Sequence, residues 1–526
     1  MLTKENFRAG ISRDPLSSFN ATDDLLLPNI LAGRGDKVAI IDLDGEHTYS
    51  ELIARVNQFA NVLEKKGIAG NERILLCLDD SIDFHTCFLG AIKAGVIPVP
   101  VNTLLTKDDY DFLLEDTRAR ILVVSEINLS SFSTNLLSHQ WLTEVLISGK
   151  EMPADFVLLS DAIQGVGDVH QTASTALEDP AFWLYTSGTT GRPKAAVHLQ
   201  KSLSATAKHF GQGVLNIKED DILYSAAKLF FAYGLGNSLT FPLAAGATVV
   251  LIDAWSKPES VINTLNETGT TIFFGVPTLF SNMLKSESSI DKADCRIKFC
   301  VSAGESLPPV ILEQWRNEVG IEIIDGIGST EMLHIFMSNR VDDIQPGTSG
   351  RPVDGYEVCL LDESGDPVTA GGIGDLYVSG PSSACEYWGR RQSTAETFQG
   401  IWTKTGDKYR IDGSGYYVYC GRSDDLFKVS GQYVSPMQIE NALLSHPVVT
   451  EAAVVGVSND DFLIKPKAYV VLSATTQPSK ELESELMTLV REMLSEHKRP
   501  HWIKFIQEIP KTATGKIQRF KLRELG

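Results

Sequence analysis

The sequence is poor in the features that mark several classes of protein. Its seven cysteines, Cys77, Cys87, Cys295, Cys300, Cys359, Cys385 and Cys420, are odd in number, scattered, and without a C-x-x-C pair. That excludes a disulfide framework or a zinc cluster as the basis of the fold. No span of about 18 apolar residues occurs, and Met1 to Gly10 lacks the apolar centre of a secretory signal. Positive charge is also short: 47 Lys and Arg against 67 Asp and Glu leave a net charge of -20. A nucleic acid or an anionic membrane is therefore not expected as the main partner. Internal repeats and long low-complexity linkers are missing too. A cytoplasmic protein is the expectation.

What is present fits a large globular chain. At 526 residues, with 43% hydrophobic and 22% charged residues, roughly two to four domains or subdomains are expected. Residues before about Leu43 read as loop-rich. Thr48-Tyr-Ser-Glu51 has the form of a capping box opening a helix with Leu52, Val56, Phe59 and Leu63 on one face. Short apolar runs at 74–78, 96–101, 121–124, 247–252, 271–274 and 298–301 alternate with helical segments, which predicts a mostly parallel α/β sheet. Beyond Arg351 the runs at 356–361, 374–378 and 416–419 are separated by Asp/Gly turns, which predicts an antiparallel β region. After Gly421 a helical run at 437–444, strands at 452–455 and 467–472 and a helix over 481–496 predict a small α+β domain. The expected divisions are 1–423, a hinge at 424–426, and 427–526.

The most informative stretch is Tyr185-Thr-Ser-Gly-Thr-Thr-Gly-Arg-Pro-Lys194, directly after the apolar run Ala181-Phe-Trp-Leu184. Glycines and hydroxyls at the end of a buried strand can wrap backbone N–H groups around a polyphosphate, with Lys194 as counter-charge. It is not a Walker A loop, because Pro193 precedes the lysine and no Ser or Thr follows it. Alone, such a stretch is equally an ordinary polar surface loop. Four further segments occur with it in fixed order: Asp325-Gly-Ile-Gly-Ser-Thr-Glu331, Trp402-Thr-Lys-Thr-Gly-Asp407, Gly421-Arg-Ser-Asp-Asp-Leu-Phe-Lys-Val-Ser-Gly431 and Pro510-Lys-Thr-Ala-Thr-Gly-Lys-Ile-Gln-Arg519.

Together these segments resemble the adenylate-forming superfamily of acyl-CoA synthetases, peptide-synthetase adenylation domains and luciferases, over nearly the whole chain. The resemblance implies a large N-terminal domain of α/β sheets with a β-rich subdomain, and a small mobile C-terminal lid. It implies ATP, Mg²⁺ and coenzyme A as the groups used. Thr186, Ser187, Gly188, Thr189, Thr190, Gly191 and Lys194 would cradle the β- and γ-phosphates. Thr330 would touch the α-phosphate and Glu331 would help hold Mg²⁺. Gly304, Glu305, Asp325, Gly326, Ile327, Gly328, Ser329 and Tyr419 would complete the nucleotide site, while Asp407 would meet the ribose hydroxyls with Arg422 alongside. Lys516 would bridge the acid carboxylate and the α-phosphate. Asp424 would be the hinge, and Lys428, Ser430 and Gly431 would line a pantetheine tunnel. Gly431 equally suits a turn of positive φ, and Lys428 a solvated surface.

Phe230-Phe-Ala-Tyr-Gly-Leu-Gly-Asn237, the segment 325–336 and the segment 424–436 look like the benzoate–CoA ligase branch. The branch implies a flat slot for a small aryl acid (benzoate, hydroxybenzoate or 2-aminobenzoate) with Phe231, Tyr233, Ala303, Gly304, Ile327, Gly328, His334 and Ile335 as lining. Phe231 and Tyr233 are otherwise plain core aromatics. His334 would lie one helical turn from Glu331 if a helix begins there, facing the carboxylate or an ortho substituent. Ile327 and Gln200 depart from the superfamily, where a tyrosine and a histidine are common. With Gly526 directly after the last motif, free CoA is expected as acceptor over a fused carrier arm. The rival readings are a ligase for short or medium aliphatic acids, an enzyme loading a separate carrier protein, and a silent nucleotide-binding scaffold. The quaternary expectation is a monomer or homodimer.

Overall fold

A computed structural model describes residues 18–525 apart from 134, 152–155, 187–191, 256, 294, 370, 424, 430–431, 460–462 and 512–516. The side chains of Lys428, Gln432, Tyr433 and His497 also lie outside the described set. So do Ser187, Gly188, Thr189, Thr190 and Gly191 of the glycine-rich run, the hinge Asp424, Ser430, Gly431 and Lys516.

The apolar runs form two largely parallel sheets. The first joins Ile97–Pro100, Arg73–Cys77, Ile121–Ser125, Glu144–Ser148 and Val157–Leu158, all parallel. The second has nine strands. Its centre runs parallel through Val38–Asp42, Thr248–Val250, Ile222–Ser225, Ile272–Gly275, Phe299–Ser302 and Ile323–Gly328. Three of these strands, Thr248–Val250, Ile272–Gly275 and Phe299–Ser302, are buried along their whole length, as apolar runs require when helices cover both faces of a sheet. The antiparallel pair Pro180–Thr186 and Lys194–Leu199 flanks the glycine-rich run, and Glu386–Tyr387 is added at its edge. The β region is antiparallel, through Glu357–Leu361, Gly374–Ser379, Trp402–Ile411 and Tyr417–Arg422.

The helix Tyr49–Lys65 opens on the expected capping box between Thr48 and Glu51. The region before Leu43 corrects the loop-rich reading. It holds the helix Ala21–Leu31 and the strand Val38–Asp42. Pro28 inside that helix hides it in the sequence. It is held by long-range bonds instead: Asn20 caps Thr22 and reaches Ile92 O, Thr22 donates to Leu89 O, and Ala21 N donates to Gln200 Oε1. Gln200 thus anchors this helix.

After Arg422 come the hairpin Phe427–Val429/Gln432–Val434, the helix Pro436–Leu444, the strands Val449–Ser458, Ile464–Leu472 and Trp502–Phe505, and the helix Lys480–Met493. These elements pack on a core of their own around Ile439, Leu443, Val454, Val470, Leu486 and Val490. Arg519, three residues past Lys516, is bound there by Glu440 at 2.7 and 2.9 Å and by Asp425 at 3.5 Å. No helix among the described residues is long and apolar enough to cross a membrane.

Candidate active site

Three neighbouring parallel strands, Ile272–Gly275, Phe299–Ser302 and Ile323–Gly328, end on the same side of the large sheet. The carboxyl ends of parallel strands leave backbone groups and loops facing outward, which is where α/β sheets place their ligands. Gly304 (φ 90°) lies just beyond the second strand and Asp325 on the third. Tyr233 crosses these ends, its hydroxyl donating to Val301 O at 3.1 Å and Gly275 O at 3.3 Å. Burial pushes the Asp325 carboxyl up to about 8, against the opposing pull of Ser302 and the backbone amides of Leu307 and Gly326. Near neutral pH it is therefore largely uncharged and can donate a hydrogen bond. Glu305 accepts from the Thr278 hydroxyl at 2.8 Å.

The third strand does not continue into a helix at Glu331, which corrects the helical spacing expected for His334. It turns back and pairs antiparallel with Ile335–Ser338, Gly326 facing Ser338 and Gly328 facing Ile335. A Cβ on Gly328 would lie 2.6 Å from His334 O, so only glycine lets this hairpin close, and Leu333 takes a left-handed conformation (φ 66°) inside the turn. Ser329 Oγ accepts from Met332 N at 3.2 Å. The turn is clasped from both sides. The buried His198 donates from Nε2 to Thr330 O at 2.9 Å, while Ala384 N donates to Glu331 O and Ser382 Oγ to Met332 O, both at 2.7 Å.

The clasp brings distant motifs together. Lys194, first residue of the strand after the glycine-rich run, holds its ammonium 4.6 Å from the ring centroid of Tyr387. The hydroxyl of that same tyrosine donates to Glu331 Oε1 at 2.6 Å. Lys194 and Glu331, 137 positions apart in the numbering, therefore face one aromatic side chain. Arg422 is near enough to interact electrostatically with Glu331 and Tyr387. Its guanidinium is 3.1 Å from Asp407 Oδ1, with the Asp407 carboxylate and then the Tyr419 phenol and Glu331 holding it firmly charged against burial. Tyr419 packs on Tyr409, ring centroids 5.3 Å apart. One carboxylate with one oxygen fixed by a phenol suits a hard cation that completes its shell with water and phosphate oxygens. Among the described residues no group of three His, Cys, Asp or Glu could hold a metal alone. Glu331 thus fits the Mg²⁺ expectation.

Of the residues expected to line an aryl slot, Tyr233 and His334 touch each other. His334 Nε2 lies 3.1 Å from Asn237 Oδ1 and 3.3 Å from Tyr233 O, and two facing acceptors put the proton on that nitrogen. Burial pulls its pKa down to about 3, so the ring is neutral. Rings of Phe210, Tyr233 and Phe241 surround it at centroid distances of 5.3, 5.5 and 4.6 Å. Phe231 packs on Phe230 at 4.5 Å, Ile327 is half-buried against the core, and Ala303 and Ile335 are fully buried in it. Tyr387, Asn237 and His198 were not among the residues expected from the sequence. Only the aromatic pair Tyr387-Trp388 beside Gly389 stands out locally, and nothing near it points to Glu331.

A lysine and a carboxylate meeting on one tyrosine beside an Asp–Arg pair, in a large α/β domain followed by a smaller one, fit an adenylate-forming type of enzyme. The chain belongs to the AMP-binding enzyme family, which matches residues 29–388, and the AMP-binding enzyme C-terminal domain matches residues 438–516. It is 48% identical over 507 residues to a benzoate–CoA ligase of Thauera aromatica, covering 96% of each chain. It is similar to the crystal structure of a benzoate CoA ligase from Burkholderia xenovorans (44% identity, TM-score 0.90, 96% of this chain and 100% of that one). It is also similar to an anthranilate CoA ligase solved with anthranoyl-AMP (39% identity, TM-score 0.92, 97% of each chain).

Proposed function

We propose that the protein is an ATP-dependent aryl-acid:CoA ligase. An oxygen of the aryl carboxylate attacks the α-phosphorus of ATP, pyrophosphate leaves, and an aryl-adenylate forms. The CoA thiol then adds to the acyl carbon, loses its proton and expels AMP, leaving the thioester. Both substrates of the first step are anionic, so the site must offset charge and align them.

The observation that carries this reading is that Lys194 and Glu331 meet on Tyr387, with the Asp407–Arg422 pair near enough for Arg422 to interact electrostatically with both Glu331 and Tyr387. Lys194 and the glycine-rich run would hold the outer phosphates, Thr330 the α-phosphate, and Asp407 with Arg422 the ribose. Glu331 would hold Mg²⁺, which supplies charge neutralisation on the phosphates when bound. Asp325 would face the adenine edge with Gly304, Glu305, Gly326, Ile327 and Gly328. The aryl ring would occupy the space beside Phe231, Tyr233 and the neutral His334. Lys516 would act in the first step and Gly431 in the second, after rotation about Asp424. The division at 424–426 and a cytoplasmic location belong to this reading.

Purified protein with Mg-ATP, CoA and single acids tests it by AMP release. Turnover with benzoate, hydroxybenzoate or 2-aminobenzoate, and little with hexanoate, is expected. Turnover with hexanoate alone would replace the reading by the aliphatic one, and no AMP with any acid would refute it.

A further inference from the structure

Tyr387 lies outside the five sequence motifs, yet it touches two of them at once. It belongs to the short strand Glu386–Tyr387, which pairs with Lys194–Leu199 in the register Tyr387 to Ala196, so its backbone is part of the sheet that leaves the glycine-rich run. Its N–H donates to Thr394 Oγ1 at 3.0 Å, and its ring packs against Phe398 at 5.2 Å and is buried to 4% exposure. Its burial and ring contact restrain the side chain. From that position the ring face meets the Lys194 ammonium and the hydroxyl meets Glu331 Oε1. A phenol facing a carboxylate donates, and at 2.6 Å the bond is of the short, charge-assisted kind. An ammonium over a ring face is attracted by the ring quadrupole.

These two contacts have opposite demands and one side chain meets both. Lys194 is a long flexible cation at the start of the strand Lys194–Leu199, and Glu331 is a carboxylate on a turn held through backbone bonds. The ring offers its face to the lysine and its hydroxyl to the acid, so the two charged groups meet different parts of one side chain. We infer that Tyr387 is a positioning residue, which holds the Lys194 ammonium and the Glu331 carboxylate apart and oriented so that each stays open to the metal–polyphosphate of ATP. The inference rests on the nucleotide site proposed above.

Tyr387→Phe removes the hydroxyl and keeps the ring, while Tyr387→Leu removes both. Nucleotide binding to the whole protein is measured by calorimetry against Mg²⁺ concentration, beside turnover. Partners of a metal-binding carboxylate typically change metal affinity by roughly 10–100-fold when removed. For Tyr387→Phe, the Mg²⁺ midpoint is expected to rise by roughly tenfold, with ATP affinity and kcat restored at saturating Mg²⁺ and an unchanged KM for the aryl acid. For Tyr387→Leu, ATP affinity should stay reduced by roughly threefold to tenfold even at saturating Mg²⁺. A Tyr387→Phe protein with the wild-type Mg²⁺ midpoint overturns the inference, as does one whose loss is the same at every Mg²⁺ concentration. If the wild type turns over no aryl acid, the functional reading fails while the binding titrations still decide the role of Tyr387.

Discussion

Gly236→Ala isolates the packing behind the aryl pocket, because two effects act on it with opposite sign. Gly236 has helical backbone angles (φ -61°, ψ -53°), so local propensity favours alanine by about 1 kcal/mol. Yet the added Cβ would sit 2.3 Å from His334 Cδ2, 2.7 Å from His334 Nε2 and 3.1 Å from Phe241 Cζ. The His334 ring cannot swing aside freely, being bonded to Asn237 and Tyr233 and enclosed by the rings of Phe210, Tyr233 and Phe241. Overpacking of a filled core costs about 1–3 kcal/mol, and displacing the histidine adds about 1 kcal/mol for its bond to Asn237. The clash therefore wins by about 1–3 kcal/mol. Because His334 takes the displacement, the cost should fall on the aryl acid: kcat/KM for benzoate lower by roughly tenfold to a hundredfold, with the ATP Kd within a factor of about two. Steady-state kinetics in each substrate and a thermal melt check this. A variant with unchanged benzoate kinetics and a higher melting temperature would show that propensity wins and that His334 does not border the acid.

Acid sensitivity follows from buried histidines. His85 and His198 are pulled down to about 4 and His334 to about 3, all by burial. Their folded pKa values lie below the unfolded one, so the stability they permit is present above pH about 6.5 and is lost as pH falls toward 4, about 2 kcal/mol each at pH 5. Asp325, raised to about 8, and Asp80, raised to about 6, act in the opposite direction over part of that range. Urea melts of His198→Asn should show a loss between pH 7 and 5 smaller by about 2 kcal/mol than in the wild type, and an unchanged slope would contradict the burial argument. Asp407→Ala removes the partner of Arg422 and should raise the ATP Kd by roughly tenfold without changing the acid KM, read by calorimetry. Lys516→Ala should abolish adenylate formation yet leave thioester formation from supplied aryl-AMP largely intact, and equal loss of both half-reactions would defeat the assignment of separate conformations.

The parts of this protein written in consecutive residues were legible in the sequence. The capping box at Thr48 and Glu51, the parallel strands and the antiparallel β region all follow from local period and turn chemistry. So did the motif order, since each motif needs only short-range spacing. The helix Ala21–Leu31 was not legible, because its stability comes from Gln200, Ile92 and Leu89, far away in sequence, and Pro28 argues locally against it. The turn Ser329–His334 was misread because 3.6-residue spacing fits a helix and a hairpin turn equally over so short a stretch. What forbids the helix is the pairing of Gly326 with Ser338. Tyr387 was missed for the same reason: its meaning lies in two partners 193 and 56 positions away, and no local pattern encodes that distance.

In the proposed reaction the acid attacks the α-phosphorus of ATP at the cluster of Lys194, Glu331, Asp407 and Arg422. Turnover of benzoate carrying ¹⁸O in both carboxylate oxygens tests that attack most directly, with mass spectrometry of the AMP released. One ¹⁸O in each AMP and one retained in the thioester carbonyl are expected. Unlabelled AMP alongside thioester would contradict the proposal, because the acid would then have been activated without bonding to that phosphorus.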